Sequence, residues 1–300
     1  MMRWPRDWGL QSRMIGTVAM LGVVYAAFVG FLVYLGVGTV MLLVIVAGAL
    51  LIQYFLSDRL VLSGMGARLL AEDEAPQLHE TMTRLSAIAG IPRPRLAVVD
   101  STVPNAFAAG RSPKNAVIAV TTGLMQRLNR DELEAVLAHE LSHVRNRDVV
   151  VITIAGLLST AAFFIFRFGL SLGGSGRGYR GGGGGQIDPR AVLVIVALVA
   201  GAVYGASFLL IRALSRYREF SADRGSALLT GQPSHLASAL AKISGLMERV
   251  PTRDLREVEG MNAFFIIPAA SRGSILGILD SHPPVEARIA ALERLEREMG

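Results

Sequence analysis

Three apolar runs decide what this chain can be: residues 14–56 are almost free of charge, and residues 149–172 and 191–211 repeat the pattern. A helix of about 20 apolar residues crosses the hydrocarbon of a bilayer, so the first run is long enough for two helices, joined near Gly36 and Gly38. The other two supply one helix each, separated by the glycine-rich residues 173–185, which read as a flexible linker. With 52% apolar residues and a mean hydropathy of +0.45, the composition agrees with a membrane protein.

Four crossings return the chain to its starting side. The organisation expected is therefore an N-terminal tail and hairpin (1–57), a first aqueous part (58–148), a second hairpin (149–211) and a second aqueous part (212–300). Arginines cluster beside the apolar runs, and the positive-inside rule puts the aqueous parts in the cytoplasm. Arg167 within the run 149–172, and Arg177 and Arg180 in the linker, leave a shallow hairpin as the alternative for residues 149–211. Residues 1–13 carry Arg3, Arg6 and Arg13 but precede too long an apolar stretch for a signal peptide, so they are expected to be retained.

The net charge of +6 comes mostly from those flanking arginines and not from a basic face interleaved with aromatics, which argues against a nucleic-acid partner. The chain has no cysteine, which excludes disulfides, thiolate metal sites and cysteine nucleophiles. Any metal must be held by nitrogen and oxygen.

In the first aqueous part, Pro76 at a helix start precedes Leu78, Met82, Leu85 and Ile88 at helical spacing, and Gly90-Ile91-Pro92 ends the pattern. Residues 95–100, 105–109 and 116–121 read as short strands, the last two forming a hairpin around the turn-forming residues 110–115. Asn129 stands three residues before Glu132 as a capping box for a helix with the buried stripe Leu133, Val136, Leu137, Leu141 and Val144.

That helix carries His139, Glu140 and His143, an H-E-x-x-H motif. Positions i and i+4 share a helix face, so two imidazoles can reach one ion with Glu140 directed beside it. A catalytic zinc of this type needs a third protein ligand and an open position for water, and Glu140 would act as general base. By chance the motif should occur in roughly one such sequence in a few hundred. The third candidate ligand is Glu219. Taken alone it reads as a juxtamembrane charge among Arg212, Arg216, Arg218 and Arg224; the motif is what raises it. Asp223, one turn later, could accept the second N–H of a zinc-bound histidine. His79 and His235 have no carboxylate or histidine at ligand spacing and read as structural. Residues 285–298 alternate Arg and Glu around Ile289, Leu292 and Leu295, a solvated helix with one apolar stripe.

Pro104-Asn105-Ala106-Phe107, the H-E-x-x-H motif, Arg218-Glu219-Phe220-Ser221-Ala222-Asp223, and Ser281-His282-Pro283-Pro284 with Arg288-Ile289 occur in this order over nearly the whole chain. This array resembles the HtpX family of membrane heat-shock proteases, relatives of the CaaX prenyl proteases. The resemblance implies an α+β membrane protein with four transmembrane helices and a mainly helical, gluzincin-like catalytic domain with a small β-sheet. It implies one Zn2+ per chain on His139, His143 and Glu219, in an endopeptidase of the inner (plasma) membrane whose active site faces the cytoplasm. Membrane-protein or unfolded polypeptides would be the substrates, and quality control of membrane proteins the process. It further implies that Asn105, Ala106 and Phe107 lie on an edge strand that binds substrate, and that His282 or Arg288 stabilises an oxyanion. Asp280 and Arg224 depart from the family pattern.

Three other readings compete. In an adaptor or pseudoprotease with a structural zinc, Glu140 would be dispensable. A protease cutting within the bilayer would keep its motif in a hydrophobic span, whereas Arg130, Asp131, Glu132, Glu134, Arg145 and Arg147 flank this one. A CaaX-type processing enzyme would have more spanning segments.

Overall fold

The computed structural model describes residues 8–35, 48, 51, 62–110, 112–174, 189–247, 266 and 282–299. The second half of the first hairpin, the glycine-rich linker, Asp280 and Ser281 lie outside the described residues.

Three long apolar helices form one layer: α1 (Trp8–Tyr34), α5 (Asp148–Gly174) and α6 (Pro189–Thr230). α1 packs through Leu21 and Tyr25 on Ala155 and Leu214, and Tyr25 donates its hydroxyl to Ala155 O at 2.6 Å. Their outer faces leave Ile15, Val23, Phe164, Phe168 and Leu198 each at least half exposed. Apolar side chains presented in this number suit lipid and not water. Among the described residues, two helices, α1 and α6, are long and apolar enough to cross a membrane.

α6 carries the last apolar segment straight on into the aqueous part. It has 42 residues and runs without a break from the apolar segment through Glu219 and Asp223. At 1.5 Å per residue that is about 63 Å, roughly twice the hydrocarbon thickness. The boundary expected at 211/212 thus falls inside one rigid helix.

The other layer is a four-stranded mixed sheet with helices on one face. Its strands are β1 (Arg68–Leu69), β2 (Arg95–Val99), β3 (Ala106–Ala109) and β4 (Val117–Thr121), in the order β1-β2-β4-β3. β3 and β4 pair antiparallel, with Phe107 opposite Ala119, as the hairpin reading requires; β2 runs parallel to β4. The turn between them uses Gly110 at φ +122°, where a Cβ would lie 2.6 Å from Asn115 O. Alternation along the strands sends Ala106, Ala108, Ile118 and Val120 to the helical side, and Phe107, Ala109, Val117 and Ala119 to the other.

α2 (Pro76–Ala89) buries Leu78, Met82, Leu85 and Ala89. Ile88, expected in that stripe, is 42% exposed, and Ala89 takes its place one residue on. Gly90 closes the helix in the left-handed conformation. After the short α3 (Thr122–Met125), α4 (Arg130–Asn146) starts with the expected capping box. Asn129 Oδ1 accepts from Glu132 N at 2.9 Å, and Asn129 N donates to Glu132 Oε2 at 3.0 Å. Glu132 also accepts from Ser238 and Lys242, which joins the start of α4 to α7 (Pro233–Met247). The chain closes with α8 (Val285–Met299), which packs on α7 and α6.

Candidate metal centre

α4 brings His139 and His143 to one face, as their i, i+4 spacing demands, and their Nε2 atoms lie 3.1 Å apart. α6 crosses beside them and delivers Glu219, whose Oε1 is 3.5 Å from His143 Nε2 and whose Oε2 is 3.6 Å from His139 Nε2. Among the described residues these three form the group able to hold a metal ion, with ligand atoms within 4.8 Å of one another. His79 is elsewhere, its Nε2 3.1 Å from Ala71 O, and His235 is absent from the cluster.

Each imidazole is backed by a carboxylate on its far nitrogen. His139 Nδ1 lies 3.0 Å from Asp223 Oδ1, and His143 Nδ1 pairs with Asp148 Oδ2 at 2.7 Å. A carboxylate at Nδ1 keeps the proton there and turns the Nε2 lone pair inward. Two inward lone pairs 3.1 Å apart repel unless a cation or a shared proton lies between them. Two nitrogens and a carboxylate suit zinc, which takes such ligands in catalytic sites. Burial opposes a charge on His139, yet Asp223 and Glu219 hold its pKa up, to about 9. The surroundings therefore favour positive charge at this point.

Each carboxylate is in turn held by an arginine. Arg288, buried in α8, donates from Nε to Asp223 Oδ2 at 2.9 Å and from Nη2 to Oδ1 at 2.6 Å, and from Nη1 to Ile266 O at 2.9 Å. Arg218 Nε lies 3.0 Å from Asp148 Oδ1. Asp148 is the residue the sequence reading missed. It opens an apolar segment and so looks like a helix-capping charge; its position five residues beyond His143, across a turn, has no motif to announce it. The turn is Arg147 alone, left-handed at φ 57°, whose N–H bonds back to Val144 O.

Glu140 is buried and, among the described residues, has no hydrogen bond or ion pair. Burial pushes its carboxyl pKa up, against the pull of His139 and His143. His282 reaches Glu219 from the entry to α8, with Nδ1 3.3 Å from Oε2. Asn105 stands at the head of β3, where its Oδ1 accepts from Ile266 N at 3.0 Å. The far end of β3 faces His143 across a narrow cavity of about 10 Å3, with Ala109 and Gly110 on one wall.

Residues 72–296 match the model of peptidase family M48. Protease HtpX homolog 2 of Methanosarcina acetivorans is 58% identical over 99% of both chains. The Protease HtpX homologs of Moorella thermoacetica and Pyrococcus furiosus are 52% and 40% identical, over 98% and 95% of this chain and 96% and 98% of theirs. The crystal structure of S. mikatae Ste24p superposes with a TM-score of 0.52 at 19% identity, covering 95% of this chain and 66% of that one. The fold is thus shared with that structure. This chain belongs to peptidase family M48 and is a metallopeptidase of the HtpX type.

Proposed function

We propose that the chain is a zinc endopeptidase of the inner membrane, with His139, His143 and Glu219 as ligands of one Zn2+ and Glu140 as general base. The convergence of the two Nε2 atoms with Glu219 carries this reading. Zinc, when bound, supplies a Lewis acid that polarises the scissile carbonyl and makes water a stronger acid. Glu140 handles the proton. Its carboxylate accepts one from the attacking water as the C–O bond forms and gives it to the amide nitrogen as the C–N bond breaks. A carboxyl whose pKa burial raises is suited to both halves of that transfer.

β3 is the substrate edge in this reading: it is the last strand of the sheet and ends beside His143. An extended polypeptide laid along Ala106 and Phe107 would be held by main-chain hydrogen bonds, which tolerate many sequences and so fit unfolded or damaged membrane proteins. Asn105 orders the head of that edge through Ile266. His282 stabilises the oxyanion, whereas Arg288, with its nitrogens engaged by Asp223, Ile266 and Glu219, positions His139 through Asp223 and Glu219 directly.

Residues 1–57 and 149–211 form four crossings, and residues 58–148 and 212–300 form the catalytic part on the cytoplasmic side. The exposed apolar faces of α1, α5 and α6 support the membrane assignment, and the arginines at their ends support the orientation. The experiment is zinc content and casein cleavage for the purified protein and for Glu140→Gln. Zinc should be retained and cleavage fall about 100- to 10,000-fold. Unchanged cleavage would favour an adaptor with a structural metal.

A further inference from the structure

A cavity of about 440 Å3 lies where the start of α1, α6 and the end of α8 meet. Each helix contributes an arginine to it: Arg13, Arg224 and Arg294. The volume falls within the range of small-molecule sites. Its apolar wall includes Phe220 and Leu295.

The charge balance of the lining favours an anion. Arg13 and Arg294 make no ion pair among the described residues. Asp223 also borders the cavity, but Arg288 already holds both of its oxygens, at 2.6 and 2.9 Å. Glu298, the other carboxylate in the lining, is exposed to solvent, as are Arg13 and Arg294, whose two charges outnumber its one.

The depth identifies the kind of anion. Arg13 immediately precedes the apolar run of α1, which sets its end of the cavity where that helix leaves the hydrocarbon. Phe220 lies on α6 beyond Arg212, Arg216 and Arg218, so the cavity extends from that level into the aqueous side. Phosphate groups of lipids occupy that level, with glycerol and acyl carbons directly beneath. Basic pockets between membrane helices on the cytoplasmic side suit such headgroups.

We propose that this cavity binds an anionic phospholipid, its phosphate between Arg13 and Arg294 and its glycerol backbone against Phe220 and Leu295. The lipid would join α8, which carries Arg288, to the membrane helices α1 and α6. Inorganic phosphate offers the same charge without the apolar part and should bind far more weakly.

The full-length protein, delipidated in a neutral detergent, is titrated with phosphatidylglycerol, phosphatidylcholine and inorganic phosphate, and bound ligand is counted by native mass spectrometry. One phosphatidylglycerol should be retained in preference to phosphatidylcholine and survive millimolar phosphate. Its affinity should fall about fivefold in Arg13→Gln or Arg294→Gln and about 25-fold in the double variant. Arg13→Lys with Arg294→Lys should keep most of the affinity, and Arg297→Gln, on α8 but outside the lining, all of it. Equal retention of the two lipids, displacement by inorganic phosphate, or an equal loss in Arg297→Gln would each overturn the proposal.

Discussion

His143 Nδ1 and Asp148 Oδ2 lie 2.7 Å apart, which ties an imidazole of the candidate metal centre to the first residue of an apolar helix. Arg218, on α6, holds the other oxygen of the same carboxylate at 3.0 Å. His143 is therefore oriented by a pair drawn from two helices of the membrane layer. His139 is oriented by a matching pair from α6 and α8, Asp223 and Arg288.

Replacing Asp148 by Asn should weaken zinc binding about 10- to 100-fold, since carboxylates backing a metal-bound histidine contribute on that scale. Competition with a chelator measures it directly. Affinity equal to that of the parent protein would mean that the contact does not orient the ligand.

Glu219→Ala should lower zinc affinity by more than Asp148→Asn does, because it removes a ligand and not a support. His235→Ala, which touches no member of the cluster, should leave the zinc content at one ion per chain. Equal metal loss in the two variants would undo the ligand assignment.

The start of α4 predicts an acid-sensitive contact. Glu132 is 3% exposed, and although burial works against its charge, Lys242, Ser238 and Asn129 hold its carboxyl below the ordinary range. A group with a lowered folded pKa contributes stability that is complete above its unfolded pKa and is lost as pH falls through the folded one. Glu132→Gln should thus unfold earlier than the parent at neutral pH, with the difference closing below about pH 4. Asn129→Ala should cost about 1 kcal/mol through loss of the cap. Thermal unfolding of the detergent-solubilised protein between about pH 3 and pH 7 checks both; a difference independent of pH would contradict the ionic part.

Much of this site was legible because helices encode it locally. His139 and His143 share a face by spacing alone, and Asn129 with Glu132 writes its own cap. The hairpin of β3 and β4 was legible from the turn at Gly110. What escaped were relationships made across the chain. Asp148 meets His143 only because Arg147 takes a left-handed turn, which no residue type there advertises. Asn105 finds Ile266 more than 150 residues away, and α6 runs through a boundary that hydropathy alone would draw at residue 211. Ile88 falls outside the core because the buried stripe Leu78, Met82, Leu85 continues by four residues to Ala89 and not by three to Ile88, a choice that spacing alone leaves open.

Arg288 offers the sharpest test of role. As an oxyanion donor, it would act on the reacting carbonyl, and its loss would slow turnover while leaving the metal in place. The geometry instead sets its Nε and Nη2 on Asp223 and its Nη1 on Ile266 O, with Nη1 also 3.4 Å from Glu219 Oε2, so it steadies the ligand set from behind. Lysine carries one ammonium and cannot reproduce a two-point fork, so Arg288→Lys should loosen Asp223 and with it His139. The expected result is a fall in zinc affinity of about tenfold, with activity largely restored when zinc is supplied in excess. His282→Ala should do the reverse, keeping most of the zinc and losing kcat, because it touches Glu219 from outside the ligand set. Zinc affinity unchanged in Arg288→Lys together with a loss of kcat at saturating zinc would return the oxyanion role to Arg288.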